Sequence, residues 1–171
     1  MEKFSIERKD VGRVIGKAGR IKKLIEKELE VKISVTKAGN ITLIGQPMQT
    51  YLAMNVISAL VFGFSVEDAL QLKSHDYALE IISVKDFAKS KARQKEIKGR
   101  LIGTSGRVKE TIQQLGDVGI SVHNNKIAIL GKVEDVAMAR NVVQALLKGA
   151  KHARIYKWLE HKSRRFRGKS S

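Results

Sequence analysis

Two short stretches of this chain hold the residue types that could seat a phosphate with no side chain in the way. The first is Gly12-Arg13-Val14-Ile15-Gly16-Lys17-Ala18-Gly19-Arg20-Ile21-Lys22. The second is Gly99-Arg100-Leu101-Ile102-Gly103-Thr104-Ser105-Gly106-Arg107-Val108-Lys109. Each reads Gly-Arg, two aliphatics, Gly-x-x-Gly, Arg, an aliphatic and Lys, and the copies stand 87 positions apart. Glycines at both ends of a four-residue loop let the backbone come close to an anion, because no Cβ intervenes. A helix starting behind the loop aims its first amides at the same point and favours negative charge there. Bases can then lie against the aliphatic residues before the loop and on the neighbouring strand. A lone Gly-x-x-Gly reads equally as a turn between helices; a second copy with matched flanks argues against that.

The charge of the chain favours an anionic partner. There are 33 Lys/Arg against 17 Asp/Glu, a net of +16. Residues 1–86 hold 13 basic and 11 acidic side chains, and residues 87–171 hold 20 and 6. The second half therefore carries +14 of the excess, concentrated in Lys89–Lys109 and Lys151–Lys169 with one acid in each run (Glu96, Glu160). Solvated charge runs usually intersperse both signs; these do not, and they read as a polyanion footprint.

Other chemistries are excluded or weak. With no cysteine, disulfides and thiolate metal sites are ruled out. Gly12 to Gly16-Lys17 evokes a phosphate-binding P-loop, but only three residues separate the glycines and Ala18 stands where Ser or Thr should hold magnesium. His75, His123, His152 and His161 show no ligand spacing, and no Ser-His-Asp or paired-carboxylate pattern emerges. We expect no catalytic residue, no metal and no cofactor. Met1 to Ser5 is not followed by an apolar run, and Ala53 to Phe64 is too short for a bilayer. The expectation is a soluble cytoplasmic protein that is not an enzyme and has no membrane partner.

The elements that must position the loops follow from periodicity. Phe4 and Ile6 alternate with polar neighbours as a strand; Val11, Val14 and Ile15 suit one helical turn. Ile21, Leu24, Ile25 and Leu29 then mark an amphipathic helix. Ile33 and Val35, then Ile41 and Leu43, read as two strands around Ala38-Gly39-Asn40. Pro47 opens a helix buried through Leu52, Val56, Ile57 and Leu60, and Ser65 with Asp68 caps a short one. The second half repeats this order through Tyr77–Val84, Val108–Leu115, Ile120 and Val122, Ile127 and Ile129, and Val136–Leu146. The fold class is α+β: two tandem units, each a three-stranded sheet packed on helices, in the order β-α-α-β-β-α. The repeat spans both loops and both long helices. The expected boundaries are residues 1–74 and 75–160, packed on each other because the join is short. A basic insertion at 85–99 and a basic tail at 161–171, disordered without its partner, complete the chain. Trp158 is spaced with Ile155 and Leu159 for helix packing and could also stack on a base, as could Phe166.

With both glycine loops in place, the sequence resembles the K-homology (KH) family in its eukaryotic-type (type I) order. That family clamps about four single-stranded nucleotides per domain. Lys17 fills a loop position often basic there, whereas the second loop has Thr104-Ser105. The family's usual aliphatic three residues after the loop is replaced by Lys22 and Lys109, with Ile21 and Val108 one step earlier, so the groove floor is open to assignment. The tandem arrangement with its basic insertion and tail resembles the partner-of-Nob-one (Dim-two-like) family of small-subunit ribosome assembly factors.

That resemblance implies binding of single-stranded RNA, at the 3′-end region of small-subunit ribosomal RNA, beside the Nob endonuclease and other assembly or translation factors. The RNA-binding residues expected in the first unit are Arg13, Ile15, Gly16, Lys17, Ala18, Gly19, Arg20, Lys22, Ile33 and Val35. In the second they are Arg100, Ile102, Gly103, Thr104, Ser105, Gly106, Arg107, Lys109, Ile120 and Val122, with Arg164, Arg165 and Arg167 in the tail. The alternatives are an adaptor whose first domain docks a protein while only the second binds RNA, and a KH protein of another RNA-processing pathway.

Overall fold

The alternating strands and the two glycine loops build one small sheet-and-helix unit twice. The computed structural model describes residues 1–167, and the chain divides into compact units at Tyr77/Ala78. The first contains β1 (Glu2–Ser5), α1 (Val11–Ile15), α2 (Arg20–Leu29), β2 (Lys32–Val35), β3 (Asn40–Ile44), α3 (Pro47–Val61) and α4 (Val66–Leu70). Its antiparallel sheet has the order β1-β3-β2, with Phe4 and Val35 both opposite Ile41. The central β3 buries Ile41 and Leu43, and Val14, Ile25, Val56 and Ile57 on the helices of the same unit are fully buried with them.

Local chemistry fixes the helix ends. Pro47 takes the first position of α3, where its missing N–H costs nothing, and Gln46 and Gln49 exchange a reciprocal cap. Gly63, at φ 93°, ends that helix. The Ser65 hydroxyl accepts from the Asp68 amide at 3.1 Å to start α4.

The second unit contains β4 (Tyr77–Ser83), α5 (Lys91–Ile102), α6 (Arg107–Gly116), β5 (Val118–His123), β6 (Lys126–Lys132), α7 (Val133–Leu147) and α8 (His152–Arg167). Its sheet order, β4-β6-β5, repeats that of the first. Ile127 and Ile129 on β6 are fully buried with Leu101, Ile112, Val143 and Leu146. Both sheets and the element order are those the sequence predicts.

Three details differ from the sequence-based picture. The basic segment 85–99 is mostly helix: it lengthens α5 to 12 residues against 5 in α1. Ser90 caps it at the Arg93 amide, and the buried Gln94 amide donates to the Ala88 carbonyl at 2.9 Å. The predicted disordered tail is helical as far as Arg167; its last four residues, 168–171, lie outside the described residues. Ile155 and Leu159 anchor α8 on α6 and α7, and once a helix is nucleated, adding good helix formers such as Lys and Arg costs little. Leu24, expected on the buried side of α2, is 38% exposed, whereas Ile25 and Leu29 of the same helix are buried. Among the described residues no helix is long and apolar enough to cross a membrane.

Candidate nucleic-acid interface

The two glycine loops adopt one conformation. Gly16 stands at φ 73°, ψ 175°, and Gly103 at φ 74°, ψ 177°. Ala18 and Ser105 share φ 54°, and Gly19 and Gly106 share φ 74°. The first glycine of each loop occupies a region open essentially to glycine alone, and the next two positions named are left-handed. The Gly19 amide donates to the Gly16 carbonyl and the Gly106 amide to the Gly103 carbonyl, both at 3.2 Å, which tightens the turn. Lys17 and Ala18, like Thr104 and Ser105, are exposed at its tip, directly before the first turns of the ten-residue helices α2 and α6. The loop therefore leads with exposed backbone directly into a helix start, where the positive end of the dipole lies. A cavity of about 700 Å³ opens beside the second loop, lined by Gly99, Gly103, Thr104, Arg107, Val108 and His152 among others.

The arginines of the motif divide into two kinds. Arg20 and Arg107, the first residues of α2 and α6, are exposed and free to meet a phosphate directly. Arg13 and Arg100 instead donate to backbone carbonyls, Arg100 half-buried and Arg13 still exposed. Arg13 donates to the Val61 carbonyl at the end of α3 at 2.7 Å and lies 3.3 Å from the buried Asp10 carboxylate. Arg100 donates to the carbonyls of Leu146 at 3.1 Å and Ala150 at 2.6 Å, closing the end of α7. A guanidinium at a helix C-terminus satisfies orphan carbonyls and the negative end of the dipole. Arg13 and Arg100 therefore also tie the helix leading into each loop to the end of the long helix of its unit.

A second surprise lies at the sheet edge. β2 and β5 are edge strands, so alternate residues turn their amides outward. The Ile33 amide donates to Glu26 Oε1, and the Ile120 amide to Gln113 Oε1, each at 2.8 Å. Lys109 Nζ donates to the Ile120 carbonyl at 3.3 Å, and Lys22 Nζ lies 3.6 Å from Glu26 Oε1. The lysines that stand where the family has an aliphatic therefore reach toward this edge. Ile33 and Ile120 are themselves buried, so their side chains form no open apolar floor. Ile15, Ile102, Val35 and Val122 are half-buried and remain as the aliphatic surface.

Arg164 is exposed on α8, and Arg165 and Arg167 extend the same helix. Glu26, Gln113 and His152 were not singled out from sequence. The 87-residue offset between Glu26 and Gln113, each seven residues before its isoleucine, was the available signal. His152 Nε2 lies 3.0 Å from the Arg100 carbonyl, a relation with no sequence signature.

A β-α-α-β-β-α unit with a glycine loop between its first two helices, occurring twice, is the eukaryotic-type KH architecture. A family model described as a eukaryotic-type KH-domain (KH-domain type I) matches residues 2–72 and 78–164. The KH domain-containing protein MJ0443 of Methanocaldococcus jannaschii is 38% identical over 98% of this chain and 76% of its own length. The RNA-binding protein pno-1 of Caenorhabditis briggsae is 34% identical over 61% of this chain, and the match spans only 39% of that protein. Among solved structures, Dim2p from Pyrococcus horikoshii OT3 superposes with a TM-score of 0.83 at 29% identity, covering 94% of this chain and 98% of that one. A chain of the a/eIF2alpha-aDim2p-rRNA complex from the same organism gives 0.84 at 28% identity, covering 95% and 93%. The chain belongs to the eukaryotic-type (type I) KH-domain family, and within it is Pno1/Dim2-like.

Proposed function

We propose that this protein binds single-stranded RNA without catalysing a reaction, holding its backbone at both Gly-x-x-Gly loops. The target in this reading is the 3′-end region of small-subunit ribosomal RNA during ribosome maturation in the cytoplasm. The observation that carries it is the coincidence of backbone angles in the two loops, each backed by an exposed arginine at the start of a ten-residue helix. The RNA-binding name of the pno-1 relative and the rRNA in the Pyrococcus horikoshii complex support the class of ligand. The Nob endonuclease and other small-subunit assembly or translation factors are the protein partners this reading implies.

Affinity should be dominated by the second unit, since residues 87–171 hold +14 of the net charge of +16. The test replaces Thr104 and Ser105 with Asp in one variant, and Lys17 and Ala18 with Asp in another, and measures single-stranded RNA binding by filter retention. The first is expected to cost more, and equal losses would sink the ranking. A log–log salt slope near zero would overturn the phosphate-contact premise itself. The adaptor reading draws on the apolar Ile44, Met48 and Tyr51, all more than half exposed on the first unit. It requires that the Lys17/Ala18 variant bind RNA as the unaltered protein does.

A further inference from the structure

Helix α8 carries more than its anchor. Its buried residues, Ile155 and Leu159, face α6 and α7, while Arg154, Lys157, Trp158, His161 and Arg164 are exposed. Trp158 is the only tryptophan of the chain and is 36% exposed, although it stands between two buried helix neighbours in sequence. Lys162 Nζ sits over the indole, 4.4 Å from its centroid. The same indole walls a cavity of about 310 Å³ between α7 and α8. Val142, Ala145 and Ile155 line it with Trp158, and Asn141 and Arg154 add polar groups.

We infer that this groove is a nucleobase subsite, separate from the Gly-x-x-Gly loops, which takes one unstacked base of the bound RNA against Trp158. The inference rests on the RNA-binding reading and adds a place where a base, not only backbone, is held. The volume is at the lower end of the range typical of small-ligand sites and admits a single flat ring system. An aromatic face with an apolar floor suits a base of any identity, because every base has a π-face. The exposed Asn141 carboxamide can both donate to and accept from a base edge. Arg154 is in position to meet the adjoining phosphate. The surroundings select a polyanion over an apolar protein segment: residues 151–164 hold Lys151, Arg154, Lys157, Lys162 and Arg164 against Glu160 alone.

A single tryptophan makes the test direct. Titrating the full chain with a ten-nucleotide single-stranded RNA should quench tryptophan emission in step with binding followed by anisotropy of a labelled RNA. Trp158→Ala should weaken RNA binding by about 5- to 150-fold, the range for losing one base–aromatic stack. Trp158→Phe, which keeps an aromatic face, should recover most of that loss and controls for folding. RNA binding with unchanged emission, or a Trp158→Ala variant of unaltered affinity, would overturn the subsite and leave the glycine-loop reading standing; the groove would then belong to a different kind of partner. Absence of any RNA binding would overturn both.

Discussion

Ile21 occupies the space in which a Cβ on Gly16 would stand: its Cγ1 lies 2.5 Å from that position, and Val108 blocks Gly103 in the same way. The first glycine of each loop is thus required twice over, by its backbone angles and by the side chain packed on it. The last glycine differs. Gly19 and Gly106 have left-handed angles but no close neighbour on the Cβ side. Gly16→Ala and Gly103→Ala should therefore destabilise by about 2–4 kcal/mol, combining a glycine-only conformation with overpacking. Gly19→Asn and Gly106→Asn should cost about 1 kcal/mol or less, since Asn tolerates the left-handed region. Urea unfolding of the four variants checks the order.

Arg100 should prove to be a stability residue before it is an RNA residue. Arg100→Ala removes two charge-assisted bonds, one to the last turn of α7 and one to Ala150 just beyond it, and should cost about 2–3 kcal/mol. Arg100→Lys should not restore it, because one ammonium cannot match a two-carbonyl fork. Arg107→Ala should do the reverse, leaving the urea midpoint near the wild-type value and lowering RNA affinity. Paired denaturation and binding measurements separate the two roles.

Glu26 and Gln113 make the same bond to the edge strand but differ by one charge. Glu26→Gln keeps an acceptor for the Ile33 amide and removes a carboxylate from beside the first groove. RNA affinity is expected to rise about two- to fivefold, the scale of one partly exposed charge interaction. Gln113→Glu should lower it by a similar factor. Filter binding at low salt reads both, and the effects should shrink as salt is added.

Burial raises the Asp135 carboxyl above its ordinary value of 3.8, with Asp117 and Glu134 adding to the shift and Lys132 opposing it. A raised folded-state value means that the native protein binds the proton more tightly than the unfolded chain. The contribution to stability is present in full below the unfolded value and is lost as pH rises through the folded one. At pH 7 the ionised carboxylate is thus a net burden. Asp135→Asn should be more stable than wild type at pH 7, with the gap closing below about pH 3. Thermal melts across that range give the check.

Much of this was legible in the chain as written. The repeat, the β-α-α-β-β-α order, the glycine turns, Pro47 and the Ser65 cap depend on residues within a few positions of one another, where period and turn chemistry act directly. Helix α8 was half-legible: Ile155 and Leu159 read correctly as its anchor. Where the helix stopped did not, because charge alone does not end a helix that is already nucleated.

The destinations of long polar side chains were not legible. Arg13 reaches the Val61 carbonyl, 48 residues away, and Arg100 reaches Leu146 and Ala150, 46 and 50 residues away. Sequence assigned both to RNA because they flank the loop. Packing also gave them carbonyls at helix ends, since a guanidinium settles on whichever carbonyls the fold brings within reach. Trp158 shows the same division from the other side. Its spacing placed it on a helix, but only the neighbours of α8 decided which face is covered, and so which aromatic ring is left for a ligand. The chain specified two glycine-loop modules through local spacing; the assembled fold decided which cations remain on the surface to use them.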